Sequence, residues 1–328
     1  MWTSATAVFE PAVDWLERGL ALARAGRNEE ALASFERAVA ARHDDVEALV
    51  GQAQTHSELG HLEDAADCFE LALAFSPDHL PALLGFARLR REAGDCDGAL
   101  VLLERAAQAA PRSAEPYFEL GLTHNRGGNT PAALAEYERA LELAPDHVAA
   151  CTNAGLIQLA QLGNPGSAQR YFERAVALQP DSVAAQANLG LALQEQGEFE
   201  AARAHYDRLI EAYPGVAEYR WNRGIARLSV GDFAHGWDDY EARNERPGKS
   251  VARHFPLAPW AGGALGGRDI LIYGEQGLGD EVMFASCVPD VLRQARGVVI
   301  ECDARLAALF QRSFPTAHVH GAPRDAGR

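Results

Sequence analysis

Two groups of residues in this chain have the types and spacing to do chemistry. The first is the run Gly274-Glu275-Gln276-Gly277-Leu278-Gly279-Asp280, which follows the apolar segment Ile270-Leu271-Ile272-Tyr273. A glycine loop between a strand and a helix N-terminus turns amide N–H groups outward, and Gly277 and Gly279 then suit an anion or a sugar hydroxyl. It is not a phosphate-binding P-loop, because no Gly-Lys-Ser/Thr follows. It is not the dinucleotide fingerprint either, since counting from Gly277 the third glycine would fall at Val282. A tight strand-to-helix turn also needs glycine for itself, so both readings stay open. The second group is Asn153, Asn188 and Asn222, spaced by 35 and 34 residues. A side-chain amide carries both a donor and an acceptor, so a row of them can pair with the N–H and C=O of an extended polypeptide whatever its side chains. No metal site is expected: His318 and His320 alternate on a short strand, a surface pattern, and the five cysteines (Cys68, Cys96, Cys151, Cys287, Cys302) lack CxxC spacing.

The spacing of the asparagines belongs to a longer regularity. Pro77, Pro111, Pro145, Pro180 and Pro214 recur at 34, 34, 35 and 34 residues. Each follows Ala72, Ala106, Ala140, Ala175 or Leu209 by five residues, and each is preceded at fixed offsets by Phe69, Leu103, Tyr137, Phe172 or Tyr206 and by Ala65, Ala99, Ala133, Ala168 or Ala202. A period of 34 means one supersecondary unit copied along the chain, here a pair of helices. Small residues at the eighth and twentieth positions let the two helices approach, and the bulky twenty-fourth residue fills the space between neighbouring pairs. Gly26, Gly60, Gly94, Gly197 and Gly231 are placed to end the first helices. In the fifth unit one extra residue is expected in the turn at Gly163-Asn164-Pro165-Gly166. The pattern resembles the tetratricopeptide repeat family over residues 12–246, as about seven repeats of which the last is degenerate.

That resemblance implies a concave groove lined by the first helix of each pair. At its sixth position the chain has Glu17, Gly51, Gly85, Glu119, Asn153, Asn188 and Asn222, so three consecutive repeats present an asparagine at one angular place. The row resembles the asparagine ladder of protein O-linked N-acetylglucosamine transferases, whose repeats grip substrate backbone; the alternative is that these amides bridge neighbouring helices. The lysine clamp of chaperone-binding repeats is absent, since the single lysine, Lys249, lies outside the array.

After residue 246 the composition changes. A Pro/Gly linker covers 247–267, then strands near Ile270–Tyr273, Val298–Ile300 and Ala317–His320 alternate with helices near Glu281–Gln294 and Ala304–Phe314. Alternation of this kind predicts a small partial α/β unit, Rossmann-like with three parallel strands, over 268–321, followed by a disordered tail at 322–328. The fold class expected is therefore mainly α: an α-solenoid followed by a partial α/β unit. The stretch from Trp260 to Gly321 resembles the start of the glycosyltransferase-like domain of the GT-B fold, related to heptosyltransferases. In that family a Gly-Asp pair at the first strand-to-helix loop supplies the general base toward an acceptor hydroxyl; the matching pair is Gly279-Asp280. The same aspartate could instead be an ordinary helix cap. Relative to that family the chain is expected to be truncated, without the second domain that holds a nucleotide-sugar. No cofactor is expected in this chain, and catalysis by it alone is not.

Charge bears on partners. The whole chain carries −16, and residues 1–246 hold 21 of the 30 basic and 38 of the 46 acidic residues, a net of −17. A phosphate-binding surface needs clustered cations, so nucleic acid is excluded as the expected partner. No apolar run reaches 18 residues, no basic leader is present, and the scattered thiols fit a reducing compartment, so no membrane association and a cytoplasmic location are expected. The function expected is a protein-interaction scaffold binding extended polypeptide in the groove. The alternative is the N-terminal part of a repeat-linked glycosyltransferase that presents an acceptor to Asp280.

Overall fold

The computed structural model describes residues 12–245, 257–258, 260, 262–274 and 277–322. The chain divides into two compact units between residues 251 and 252. Among the described residues, every element of the first is a helix. Its helices pair as α1 (Ala12–Arg24) with α2 (Asn28–Ala41), α3 (Val46–Glu58) with α4 (Leu62–Phe75), α5 (Leu80–Glu92) with α6 (Cys96–Ala109), and α7 (Glu115–Arg126) with α8 (Thr130–Leu143). They continue as α9 (Val148–Leu156) with α10 (Pro165–Leu178), α11 (Val183–Glu195) with α12 (Phe199–Ala212), and α13 (Ala217–Ser229) with α14 (Phe233–Tyr240).

The periodic residues do what their sizes predict. Ala31, Ala65, Ala99, Ala133, Ala168 and Ala202 are fully buried where paired helices meet, and Phe35, Phe69, Leu103, Tyr137, Phe172 and Tyr206 are buried with them. The second helices of these hairpins stop two residues before the prolines, which lack the amide proton needed to continue. First helices end at Gly26, Gly60, Gly94, Gly128, Gly163, Gly197 and Gly231, whose φ values of 64° to 88° are left-handed. Asp45, Asn129 and Ser182 cap helices by accepting from the amides of Ala48, Ala132 and Ala185.

The extra residue of the fifth hairpin is not in its turn. It is absorbed earlier, as a π-helical turn over Ile157–Gln161 that prolongs α9, and Gly163 keeps the turn geometry of its counterparts. Widening one helical turn holds the buried Ile157 in register at the cost of local hydrogen-bond geometry.

In the second unit β1 (Asp269–Tyr273), β2 (Gly297–Asp303) and β3 (His318–Ala322) form a parallel sheet in that order. Ile270 pairs with Val298, and Ile300 with Val319. Val298, Ile300, Leu306, Phe310 and Phe314 form its core, joined by Leu265. Three boundaries differ from the sequence reading. Leu265, the large apolar residue of a glycine-rich stretch, is buried in this core, so its residues are not all linker. β3 runs on to Ala322, which pairs with Asp303, one residue into the stretch read as tail. The single helix read over 281–294 is instead α15 (Leu278–Phe284), a short 3₁₀ turn and α16 (Val288–Leu292), broken ahead of Pro289, which has no N–H to continue the preceding ladder. Residues 323–328 lie outside the described residues.

Candidate functional site

First helices of successive hairpins touch one another, α1 with α3, α3 with α5, α5 with α7 and α11 with α13, as the inner face of a solenoid requires. Between α11 and α13 this face opens into a cavity of about 610 Å³. Asn188 and Asn222 both line it, beside Leu191, Trp221 and Ile225, with Glu195 and Glu218 also in the wall. Asn153, half-buried one hairpin earlier, is not part of the lining. Among the described residues none of the three side-chain amides has a hydrogen-bond partner in the protein. The structure thus brings two asparagines of the row to one concavity and leaves the third apart.

The cavity wall is held from behind. His205 and Tyr206 on α12 reach the α11 carbonyls of Gln186 and Ala187 at 3.0 and 3.1 Å. Gln194 donates to the carbonyl of Asn222 at 2.9 Å, tying α11 to α13 at the height of the asparagine. Burial pushes the His205 imidazole below its ordinary 6.5, despite the Gln186 carbonyl, and pushes the Tyr206 phenol up. On α13, Arg223 grips Asp239 with two bonds of 2.7 and 2.8 Å and donates a third, of 2.8 Å, to Asp207 on α12. These contacts set where α13, and with it Trp221 and Asn222, stands.

The sixth position also explains why the row is short. In the second and third hairpins it is glycine because an aromatic ring occupies the space. A Cβ on Gly51 would lie 2.5 Å from Phe35, and one on Gly85 would lie 2.6 Å from Phe69. Phe35 also lies against Gly19, the eighth position of its own hairpin, whereas in the fourth to sixth hairpins the ring leans on the eighth-position glycine and leaves the next sixth position open: Tyr137 on Gly121, Phe172 on Gly155 and Tyr206 on Gly190. Only there is the following sixth position free for Asn153, Asn188 and Asn222. Where neither glycine is present the twenty-fourth residue is the smaller Leu103, and the next sixth position holds Glu119. Glu119 is buried and accepts from Arg88 at 2.8 Å and from Arg91, so it is committed within the protein.

In the second unit Gly277 precedes α15 and Gly279 lies in its first turn, both exposed. Asp280 is the third residue of that helix rather than its cap residue, and its carboxylate accepts from the Gly277 N–H at 3.1 Å. Glu275 and Gln276 lie outside the described residues. The reading from sequence passed over Glu281, which is buried and accepts from the Asp303 N–H at 2.9 Å, joining the first helix to the end of β2. His318 and His320 are both exposed on β3.

Tetratricopeptide repeat models match residues 16–79, 84–148, 157–217 and 188–235, well over half the chain. The chain belongs to the tetratricopeptide repeat family. Protein FlbA of Caulobacter vibrioides is 38% identical over 133 residues, covering 38% of this chain and 22% of FlbA. The chain therefore matches only about a fifth of that relative's length. Among solved structures, PilF of Pseudomonas aeruginosa superposes with a TM-score of 0.55 at 16% identity, covering 64% of this repeat protein and 95% of PilF. A tetratricopeptide repeat protein from Parabacteroides merdae does so at 0.51 and 18%, covering 70% and 91%. At these identities the likeness is one of fold. Among the described residues no helix is long and apolar enough to cross a membrane.

Proposed function

We propose that this repeat protein is an interaction scaffold that holds an extended polypeptide on its concave face, over the cavity between α11 and α13. One observation carries the reading: Asn188 and Asn222, whose side-chain amides have no hydrogen-bond partner among the described residues, open on the same 610 Å³ space. Each amide can donate to a ligand carbonyl and accept from a ligand N–H, which holds a backbone without selecting its sequence. Leu191, Trp221 and Ile225 offer apolar contact for a side chain of the guest. Glu195 and Glu218, on an array of net charge −17, favour neutral or basic segments.

Each lost hydrogen bond costs about 1 kcal/mol, so losing one at each asparagine lowers affinity by about thirtyfold. The double variant N188A/N222A is tested against an immobilised random-sequence peptide library, with unchanged circular dichroism as the control for folding. Retention equal to the parent would reject the groove reading.

A second reading is carried by the parallel sheet. Asp280 stands just past the C-terminal end of β1, the edge where open α/β sheets bind ligands. There it would act as general base toward an acceptor hydroxyl in a GT-B-like transferase using a nucleotide-sugar, once freed from the Gly277 N–H. This reading requires further coding sequence. Reading the gene past codon 328 supports it if an open frame encodes a second strand–helix domain, and a stop codon there counts against it.

A further inference from the structure

We infer that the turn of the second hairpin binds a divalent transition-metal ion of the zinc class through His56, His61 and Asp64. His56 stands in the last turn of α3 and is nine-tenths buried, His61 immediately precedes α4, and Asp64 lies in the first turn of α4. Gly60, at φ 81°, reverses the chain so that the His61 N–H donates to the His56 carbonyl at 2.9 Å. The reversal brings one ligand atom from each of the three side chains within 4.8 Å of the others.

The decisive distance is 3.4 Å between the two Nδ1 atoms. It is longer than the 2.7–3.2 Å range of a good N–H hydrogen bond, about 3 Å at its mode. It is instead the edge of a tetrahedron: two nitrogens each about 2.05 Å from a zinc ion stand about 3.3 Å apart. The rings are tilted by 52°, their centroids 5.6 Å apart, so the two nitrogens converge without the rings stacking. Two imidazoles and one carboxylate are a donor set that suits zinc and its neighbours, and not calcium or magnesium, which take oxygen ligands. The C-terminal end of α3 favours a cation, and Glu63 and Asp64 offset the opposite field at the start of α4. A fourth ligand position is left for water or for a donor from a bound protein. The bound ion would clamp the α3–α4 turn, on the opposite part of the array from the α11–α13 cavity in sequence.

The pattern is His-x4-His-x2-Asp, and it crosses a turn, so no single-helix spacing rule would have selected it. The test uses the full chain without an affinity tag, stripped of metal by a chelator. Zn²⁺ is titrated by calorimetry and Co²⁺ by its visible absorption, which is intense for a tetrahedral site. One equivalent is expected to bind. His61 and Asp64 are exposed, so H61N and D64N leave the core untouched. Loss of a mere outer-shell partner costs about 10- to 100-fold in metal affinity, so each ligand variant should lose at least about tenfold. Absence of stoichiometric binding by the parent, or parental affinity in either variant, overturns the assignment; the two histidines would then be a tilted pair and nothing more.

Discussion

His205 shows how much one buried side chain can decide. Its Nε2 lies 3.0 Å from the Gln186 carbonyl, so that nitrogen carries the proton, and the imidazole is neutral in the folded protein. With the folded pKa held below the unfolded 6.5 by burial, the unfolded chain binds a proton first as pH falls. Nothing is lost above pH 6.5, and stability declines as pH drops from there toward the folded pKa. Melting temperature should therefore fall from pH 7 to pH 5.5 more steeply in the parent than in H205Q, which keeps a donor but cannot titrate in this range. Equal slopes in a scanning calorimeter would remove His205 from the pH response. The site residues divide on similar grounds. Asn153, Asn188 and Asn222 were legible as a row because period and residue type sufficed, whereas sharing a cavity depends on the spacing of α11 and α13, which period alone does not specify.

Between helices the governing quantity is the volume of a ring against the absence of a Cβ. Phe69, whose own eighth residue is Ala53, turns toward Gly85 of the next hairpin, Phe35 fills the space at both Gly19 and Gly51, and Tyr206 turns back onto Gly190 and leaves the next sixth position to Asn222. Extending the asparagine row to the third hairpin by G85N should then overpack the seam and cost about 1–3 kcal/mol. Adding F69L, which copies the Leu103 and Glu119 arrangement, should recover part of that loss. Thermal melts of G85N and F69L/G85N check this; a double variant no more stable than G85N would contradict the packing account. Hairpin existence and order were legible in the small and bulky positions. Element ends were less so: the π turn at Ile157–Gln161 comes from competition between helical register and burial, which no local pattern states, whereas the break ahead of Pro289 follows from the proline itself.

Across the whole chain, stability comes chiefly from contacts between each hairpin and the next, because a repeat cannot bury its apolar face alone. Net charge on the array is a solubility and partner-selection term and says nothing of the fold. The three-stranded unit is a separate core built on Leu265, Ile300 and Phe310. By itself the amino-acid order determined the repeat family, the hairpin count, the parallel α/β segment and the angular place of the asparagines, since each is a matter of spacing along one chain. Tertiary structure alone decided which sixth positions are free, that Asn188 and Asn222 share a cavity without Asn153, and that His56 meets His61 and Asp64. Those outcomes depend on how far apart neighbouring helices come to rest and where a turn points a side chain, distances set by packing.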